Sequence, residues 1–441
     1  MDRTIENRLY DAFLSSTGVS TDSRRIEPGV MFFALRGDNF DGNRFAAAAL
    51  ESGAAWAVVS RDSGILDGGQ YIAVDDTLEA LQALARRHRS SFRIPVLGLT
   101  GTNGKTTTKE LICAVLSAKY RVTATIGNLN NHIGVPLTLL RLTPETEIAV
   151  VEMGANHPGE IAALAAIALP DYGLITNVGK AHLEGFGSFE GVKRAKGELY
   201  DYLQRTGDTV FLNAGDPDLC AMASMRPDLR TVRYGVEAAG ISLLPVTAEE
   251  PCLRLKLPEG ITVSTHLVGS YNAPNVAAAL CIGRYFGVSL EDAAAAVEAY
   301  VPSNLRSQLE RTARNLLVLD TYNANPSSMR ASLSNFAASH FPNKMLILGE
   351  MLELGQDSVQ EHVRVMETAA GMQDCGRVLL VGGEFLRAAR ECPSLAEDGR
   401  LTFCRDVEEA RKVLEERPAD GCTVLLKGSN AVRLPMLKEV L

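Results

Sequence analysis

Residues 94–110, IPVLGLTGTNGKTTTKE, decide how the rest of the chain is read. An apolar run, IPVLGL, passes directly into Thr100-Gly101-Thr102-Asn103-Gly104-Lys105-Thr106, and the TTKELICAVLSAKY that follows has helical spacing. Strand, glycine-bearing loop and helix, in that order, let backbone N–H groups surround phosphate oxygens, and the helix N-terminus favours their negative charge. Lys105 then offers a point charge to the β/γ-phosphates, and the Thr106 hydroxyl a hard oxygen to Mg²⁺. The generic pattern G-x-x-x-x-G-K-[ST] puts glycine at position 99, where Leu99 stands, with Gly98 one residue off. The loop predicts nucleotide binding and leaves the reaction open; the bland alternative is an ordinary turn before a lysine-capped helix.

A chain of 441 residues exceeds one ordinary core, and at about 150 residues per domain it predicts three. Hydrophobic content of 46% with 22% charged residues is that of a globular protein. No apolar run approaches the roughly 20 residues that cross a bilayer. The opening MDRTIENRLYDAFL is charged and lacks a signal-peptide core, which predicts a cytoplasmic protein. Eight cysteines form no C-x-x-C pair and read as reduced core residues. A net charge of −9 argues against a nucleic-acid partner, which would call for a basic face, so local loops and metal ions must meet any anionic substrate.

Outward from the loop, the chain divides into units of residues 1–91, 92–309 and 310–441. The first holds strand-like VMFFAL and AWAVVS around a helix-like NRFAAAALESG. Its polar stretches at 21–25 and 36–42 are ligand loops or plain turns, and Trp56 reads as core. A basic helix, ALQALARRHRSSF, marks the boundary. The second unit alternates apolar strands (IPVLGL, EIAVVEM, YGLITNV) with helices, which indicates an α/β fold with a mostly parallel sheet. Between Val232 and Val268 the pattern becomes short alternating strands, an antiparallel insertion or edge. The third unit repeats the rhythm with NLLVLD, KMLILG, RVLLVG and TVLLKG, each followed by a helix, without a second phosphate loop. The fold class is therefore α/β in three domains, a central P-loop parallel-sheet domain between a small α/β domain and a Rossmann-like C-terminal domain. Ligands of doubly wound sheets sit beyond the carboxyl ends of the strands, which singles out residues 320–325, 349–355 and 427–430.

Two residues on the central sheet attract attention. Glu152 ends a strand that could lie beside the phosphate-loop strand, where a carboxylate would hold Mg²⁺ with Thr106 or cap the next turn. His182 lies between a strand end and glycines, a common site position. Lys193, Arg194 and Lys196 read as an exposed basic helix face.

TGTNGKTT, NNHIGVPLTLL, VVEMGANHPGEIA, TNVGKAHLEGFGS, GVKRAKGELY, GSYNAPN, DTYNANPSSM and LGEMLELG follow one another in this order. Together they resemble the Mur ligase family, most closely its D-Ala-D-Ala-adding branch, and STDSRRIEPGVMFFALRG resembles the family's uridine-nucleotide-binding first domain. The resemblance spans all three units. It implies an ADP-forming amide ligase of peptidoglycan synthesis that uses ATP and two Mg²⁺ ions. ATP would phosphorylate the free carboxylate of UDP-MurNAc-tripeptide, and the amine of D-Ala-D-Ala would attack the acyl phosphate through a tetrahedral intermediate. Nothing in the sequence demands an oligomer, so a monomer is expected, with no nucleic-acid partner and no membrane insertion.

Residue by residue, the resemblance places Gly101, Thr102, Asn103, Gly104, Lys105, Thr106 and Thr107 on the ATP phosphates. Thr106 and Glu152 match the ligands of the nucleotide-bound Mg²⁺, and His182 the histidine at the second ion. Lys196 matches a lysine carried as a carbamate, 14 residues after His182, with Lys193 as its rival. A carbamate requires the neutral amine, disfavoured at an ordinary lysine pKa of about 10.4. Asn272 and Asn275 match adenine-side asparagines, Arg306 a phosphate-side arginine and Asp320 a ribose-contacting aspartate. Tyr322, Asn323 and Asn325 fall where ATP and dipeptide meet. Asn131, Asn156 and His157 are candidates for the muramoyl peptide, and Ser23 and Arg24 for the uridine nucleotide. Two rival readings stay open: the diaminopimelate- or lysine-adding branch, and a P-loop switch without ligase chemistry.

Overall fold

The computed structural model describes residues 3–37, 39–247 and 249–441. Three main sheets follow one another along the chain. The first is parallel, ordered Val19–Ser20, Met31–Phe33, Trp56–Ser60, Tyr71–Val74. Its apolar runs are continuous because both faces are covered. Met31, Phe33 and Val58 enter one core, and Phe32, Ala57 and Val59 enter the other, as the two-residue period of a strand requires. Trp56 is half-buried at the start of an interior strand.

The helix Thr77–Ser90 starts at Asp76, whose side chain accepts from the Leu78 and Glu79 N–H groups. Its buried stripe of Ala80, Leu81, Leu84, Ala85 and His88 has helical period. Expected as a boundary, it proves to be a bridge. Arg89, 6% exposed, pairs with Asp171 at 3.0 Å and donates to the carbonyls of Ala168 and Leu169. One apolar core runs on from this helix into the central domain.

The central sheet has the order Arg230–Tyr234, Thr209–Asn213, Tyr172–Ile175, Val96–Thr100, Ile148–Glu152, Val122–Ala124, every pair parallel. Arg230–Tyr234 is thus a sixth parallel strand, and the expected antiparallel insertion begins later, as Ser242–Leu243, Arg254–Lys256 and Thr262–Ser264. The order reverses about Val96–Thr100, so the loop after that strand opens at the crevice where such sheets take ligands. Leu99 pairs with Glu152, which brings the phosphate loop and the carboxylate to one rim.

The third sheet begins at Gln308, two residues before the expected unit, with order Gln308–Arg311, Leu316–Asp320, Thr423–Lys427, Lys344–Gly349, Cys375–Val381, Leu401–Cys404. Only its first strand is antiparallel. The helix expected after TVLLKG is instead two 3₁₀ segments, Asn430–Val432 and Leu434–Val440, because Arg433 takes a left-handed φ of 58° and Pro435 follows it. The carboxyl rim of this sheet faces the phosphate loop: Asn325 donates to Asn103 at 2.8 Å and Lys180 pairs with Glu361 at 3.3 Å. Among the described residues no helix is long and apolar enough to cross a membrane.

Candidate active site

The phosphate loop is braced from behind. Gly101 has φ 145°, and a Cβ there would stand 2.0 Å from the Thr176 hydroxyl, so only glycine fits. The Thr102 N–H donates to the Asn177 carbonyl and the Asn103 N–H to the Asn177 side chain, both at 3.0 Å. Thr176 Oγ1 donates to the Asn103 carbonyl at 2.7 Å. Gly104 in the left-handed region opens the helix Lys105–Ser117, with Asn275 against it. Lys105 Nζ donates to the Gly101 and Thr102 carbonyls at 2.9 and 3.2 Å, and burial pushes its pKa below the ordinary lysine value. Thr176 and Asn177 were not singled out by sequence, although they lie in the quoted TNVGKAH motif.

Glu152 is 1% exposed. Its Oε1 accepts from the Thr106 hydroxyl at 3.2 Å and from Asn130 Nδ2 at 2.8 Å. Lys109, one turn along the same helix as Lys105 and 3% exposed, lies 3.8 Å from Oε2, which is buried without a hydrogen-bond partner. A buried carboxylate oxygen with no partner is costly unless something else satisfies it. Oxygen donors from Glu152 and Thr106 beside a phosphate cradle fit Mg²⁺, which keeps several waters and takes few protein ligands. No group of three His, Cys, Asp or Glu converges among the described residues. Asn130 and Lys109 are site residues that sequence reading passed over; Lys109 carried a signal, its i+4 offset from Lys105.

Lys196 and Lys193 part company. Expected on an exposed basic face, Lys196 is in fact 2% exposed, with Nζ donating to the Ala155 carbonyl at 3.2 Å. Burial first, and then the charge of Lys105, lowers its pKa to about 7. Lys193 pairs with Glu190 at 2.9 Å and Asp218 at 2.7 Å, which raise its pKa and hold it as an ammonium. Burial thus favours the neutral amine on Lys196, whereas its ion pairs favour the ammonium on Lys193. His182, at φ 50°, contacts Glu353 of the third domain through Nδ1. Burial lowers its pKa while Glu353 opposes the shift.

A cavity of about 640 Å³ joins these groups. Thr102, Asn103, Gly104, Lys105, Thr107, Glu152 and His182 line it, and so do Asn131, Asn156, Asn272, Asn275, Arg306, Asp320, Tyr322 and Asn323. Asn275 Nδ2 donates to Asn272 Oδ1 at 3.0 Å, and Asn272 Nδ2 to the Val268 carbonyl at 2.9 Å. The Arg306 guanidinium lies 3.8 Å above the Tyr322 ring, with its Nε buried and unpartnered. Lys427, 1% exposed, pairs with Asp320 at 3.1 Å and donates to the Asn323 carbonyl at 2.7 Å. The suspect loop at 427–430 contained Lys427, but its partner depends on strand order and could not be read.

Other expected residues lie off this cavity. Gly101, Thr106 and Lys196 stand behind its lining, and Asn325 faces a neighbouring cavity. His157 is exposed and paired with Glu160 at 3.4 Å. Ser23 and Arg24 sit on the first domain away from the cavity, Arg24 bonded to Asp22. The expected muramoyl-peptide contact Asn131 uses its Oδ1 to accept from the Ile133 and Gly134 N–H groups.

Family models match in the same order as the sheets. The Mur ligase family, catalytic domain, matches residues 15–89; the Mur ligase middle domain, 99–283; the Mur ligase, glutamate ligase domain, 305–430. The chain is 36% identical to the UDP-N-acetylmuramoyl-tripeptide–D-alanyl-D-alanine ligase of Bacillus subtilis, over 98% of this chain and 94% of that one. A crystal structure of MurF from Acinetobacter baumannii superposes with a TM-score of 0.84 at 29% identity, covering 98% of this chain and 97% of the other. MurF ligase from Thermotoga maritima, in complex with ADP, superposes with a TM-score of 0.82 at 29% identity over 97% of each chain. Matched in all three of its main sheets, and sharing more than a third of its residues with a relative along nearly its whole length, the chain belongs to the Mur ligase family.

Proposed function

We propose that this chain joins D-Ala-D-Ala to UDP-MurNAc-tripeptide, converting ATP to ADP and phosphate, in peptidoglycan precursor synthesis. The observation that carries this reading is the convergence on one cavity of the phosphate loop, Glu152 with an oxygen that has no hydrogen bond, Arg306 and the third domain's Asp320. The Bacillus subtilis relative, a UDP-N-acetylmuramoyl-tripeptide–D-alanyl-D-alanine ligase by name, supports the choice of substrates.

The chemistry follows from how poor an electrophile a carboxylate is. An oxygen of the tripeptide carboxylate attacks the γ-phosphorus, and the bond to ADP breaks. The dipeptide amine then attacks the acyl carbon, and the tetrahedral intermediate expels phosphate as the nitrogen loses its proton. The protein's work is to hold three mutually repelling anions in line. Lys105 and the loop of residues 101–107 take the nucleotide phosphates, through N–H groups other than those of Thr102 and Asn103, which Asn177 holds. Arg306, stacked on Tyr322, adds a rigid positive charge at the same cavity. Asn272 and Asn275 lie on the adenine side and Asp320 at the ribose. Mg²⁺, held by Thr106 and Glu152 and at a second position by His182 and a carbamate on Lys196, would neutralise phosphate charge when bound. Lys196 suits that modification because its amine is buried and easily neutral.

We assign residues 1–91 to the uridine-nucleotide end with Ser23 and Arg24, 92–309 to ATP, and 310–441 to closing the site. Asn131, Asn156 and His157 point to the muramoyl peptide, and Tyr322, Asn323 and Asn325 to the meeting of ATP and dipeptide. We take the enzyme to act as a monomer in the cytoplasm.

The test is ADP formation across a panel of UDP-peptides, with products identified by mass. UDP-tripeptide and D-Ala-D-Ala together should turn over. Turnover of UDP-dipeptide with diaminopimelate or lysine would favour the neighbouring branch, and steady hydrolysis without dipeptide a nucleotide switch.

A further inference from the structure

The central domain's last helix, Leu290–Ala299, packs against the phosphate-loop helix, Lys105–Ser117. Residues 300–307 then carry the chain to the third sheet at Gln308. Arg306 sits near the end of this linker, between Leu305 at φ 58° and Ser307 at φ 50°. Two residues with side chains in the left-handed region, one on each side of an arginine, persist only where their surroundings hold them.

The far end of the linker is tied at several points. The Thr321 N–H donates to the Leu305 carbonyl at 2.9 Å, and the Val268 N–H to the Ser307 carbonyl at 3.0 Å. Ser307, 4% exposed, also accepts from Asn272 Nδ2 at 3.1 Å. The near end hangs on one carboxylate. Glu110 Oε2, on the phosphate-loop helix, accepts from the Tyr300 hydroxyl and, at 3.0 Å, from Asn304 Nδ2. Burial, and then Glu110 itself, pushes the Tyr300 pKa above the ordinary tyrosine value, so the phenol stays a donor. Arg306 has less to hold it. Its guanidinium stacks on Tyr322, a contact with no fixed direction in the ring plane, and its Nε has no hydrogen bond. Its charge helps to lower the Lys105 pKa, which places it beside the phosphate loop.

We propose that Glu110, acting through Tyr300 and Asn304, is a positioning residue for Arg306, a reading that rests on the ligase function above. Lys105 and Glu110 ride on one helix, so the loop that takes the phosphates and the linker that presents the guanidinium are fixed to one rigid element. Arg306 then meets the charge developing on the transferring phosphoryl group without first having to be ordered, the condition under which a fixed charge lowers a barrier most. With Glu110 removed the guanidinium is still present but no longer fixed, and the loss falls on kcat more than on nucleotide affinity.

A double-mutant cycle on the full chain tests this, read as kcat for ADP formation with UDP-tripeptide and D-Ala-D-Ala saturating, and as ADP affinity by calorimetry. Glu110→Ala should lower kcat by roughly 10- to 100-fold, as loss of hydrogen bonds to a charged group does, with ADP affinity within about twofold. Glu110→Gln, whose amide oxygen still accepts both hydrogen bonds, should recover kcat to within about fivefold of wild type. In an Arg306→Ala background, Glu110→Ala should cost less than about twofold, because the residue acts only through Arg306. Tyr300→Phe runs the same cycle with a smaller change, about 3- to 10-fold against wild type and less than about twofold against Arg306→Ala, and decides the matter if Glu110→Ala does not fold. Equal losses in the two backgrounds overturn the assignment. So does a kcat within about twofold of wild type in both Glu110→Ala and Tyr300→Phe, or an ADP affinity that falls as far as kcat. Wild-type protein that makes no D-Ala-D-Ala-dependent ADP overturns the ligase reading itself, a separate failure seen before any variant is made.

Discussion

The central and third domains each present the carboxyl rim of a six-stranded sheet to the same cavity, and the two rims are built differently. On the central rim one loop does most of the work. Its glycines, its lysine and the helix behind it lie within the 17 residues from Gly101 to Ser117, and a neighbouring strand delivers Glu152 in register. On the third rim the working groups come from loops about thirty or more residues apart: Asp320, Glu353 and Lys427. Lys427 and Asp320 already satisfy each other, whereas Glu152 keeps an oxygen with no hydrogen bond, 3.8 Å from Lys109. A local loop can thus bind phosphate by itself, while the third rim acquires a use only when pressed against the first.

Substitutions can break that contrast, and the largest effect belongs to the central rim. Lys105→Ala should lower kcat by about 10³-fold while the melting temperature stays close to wild type, since removing one preorganised charge at a developing anion costs on that order. Next comes Lys196→Ala, expected to lose about 10²-fold in activity and to regain part of it with formate or acetate. Full activity in that variant would remove Lys196 from the site and reopen the case for Lys193.

On the third rim, Lys427→Met strands the Asp320 carboxylate, which is only 15% exposed. We expect an ATP KM about tenfold higher and a loss of stability of up to about 3 kcal/mol, measured by urea unfolding. An unaltered ATP KM would mean that the third rim takes no part in nucleotide binding.

A smaller effect concerns stability alone. Folded Lys196 titrates near pH 7 and the unfolded lysine near 10.4, so between these values the unfolded chain binds more protons and stability rises with pH. In CO₂-free buffer, Lys196→Met should be more stable than wild type at pH 7 and lose that advantage by pH 10. A difference that stays constant with pH would show that the amine is not held neutral. Lys193→Ala, three residues away, should change activity by less than about twofold, as an exposed ion pair contributes little.

The same contrast explains what could be read from the chain beforehand. TGTNGKTT announced itself because phosphate binding needs a fixed local order, and the departure at Leu99 leaves the glycines that matter, Gly101 and Gly104, in place. Glu152 was legible because a strand end beside the loop strand has few places to go. Lys196 looked exposed because a basic run on a helix usually is; its burial comes from the Ala155 carbonyl, 41 residues earlier in sequence. Its role came through resemblance. Asp320 with Lys427 required knowing that Leu316–Asp320 lies beside Thr423–Lys427, a pairing that skips three intervening strands. Glu353 lay in a suspect loop, but its contact with His182 depends on which loops face each other across the cleft.

The most direct measurement follows oxygen. With the terminal carboxylate of UDP-tripeptide labelled with ¹⁸O, turnover with ATP and D-Ala-D-Ala should release phosphate carrying one label, because the acyl phosphate's bridging oxygen leaves with it. Unlabelled phosphate alongside amide product would contradict an acyl-phosphate route, and with it the assignment of the two rims to one amide-forming site.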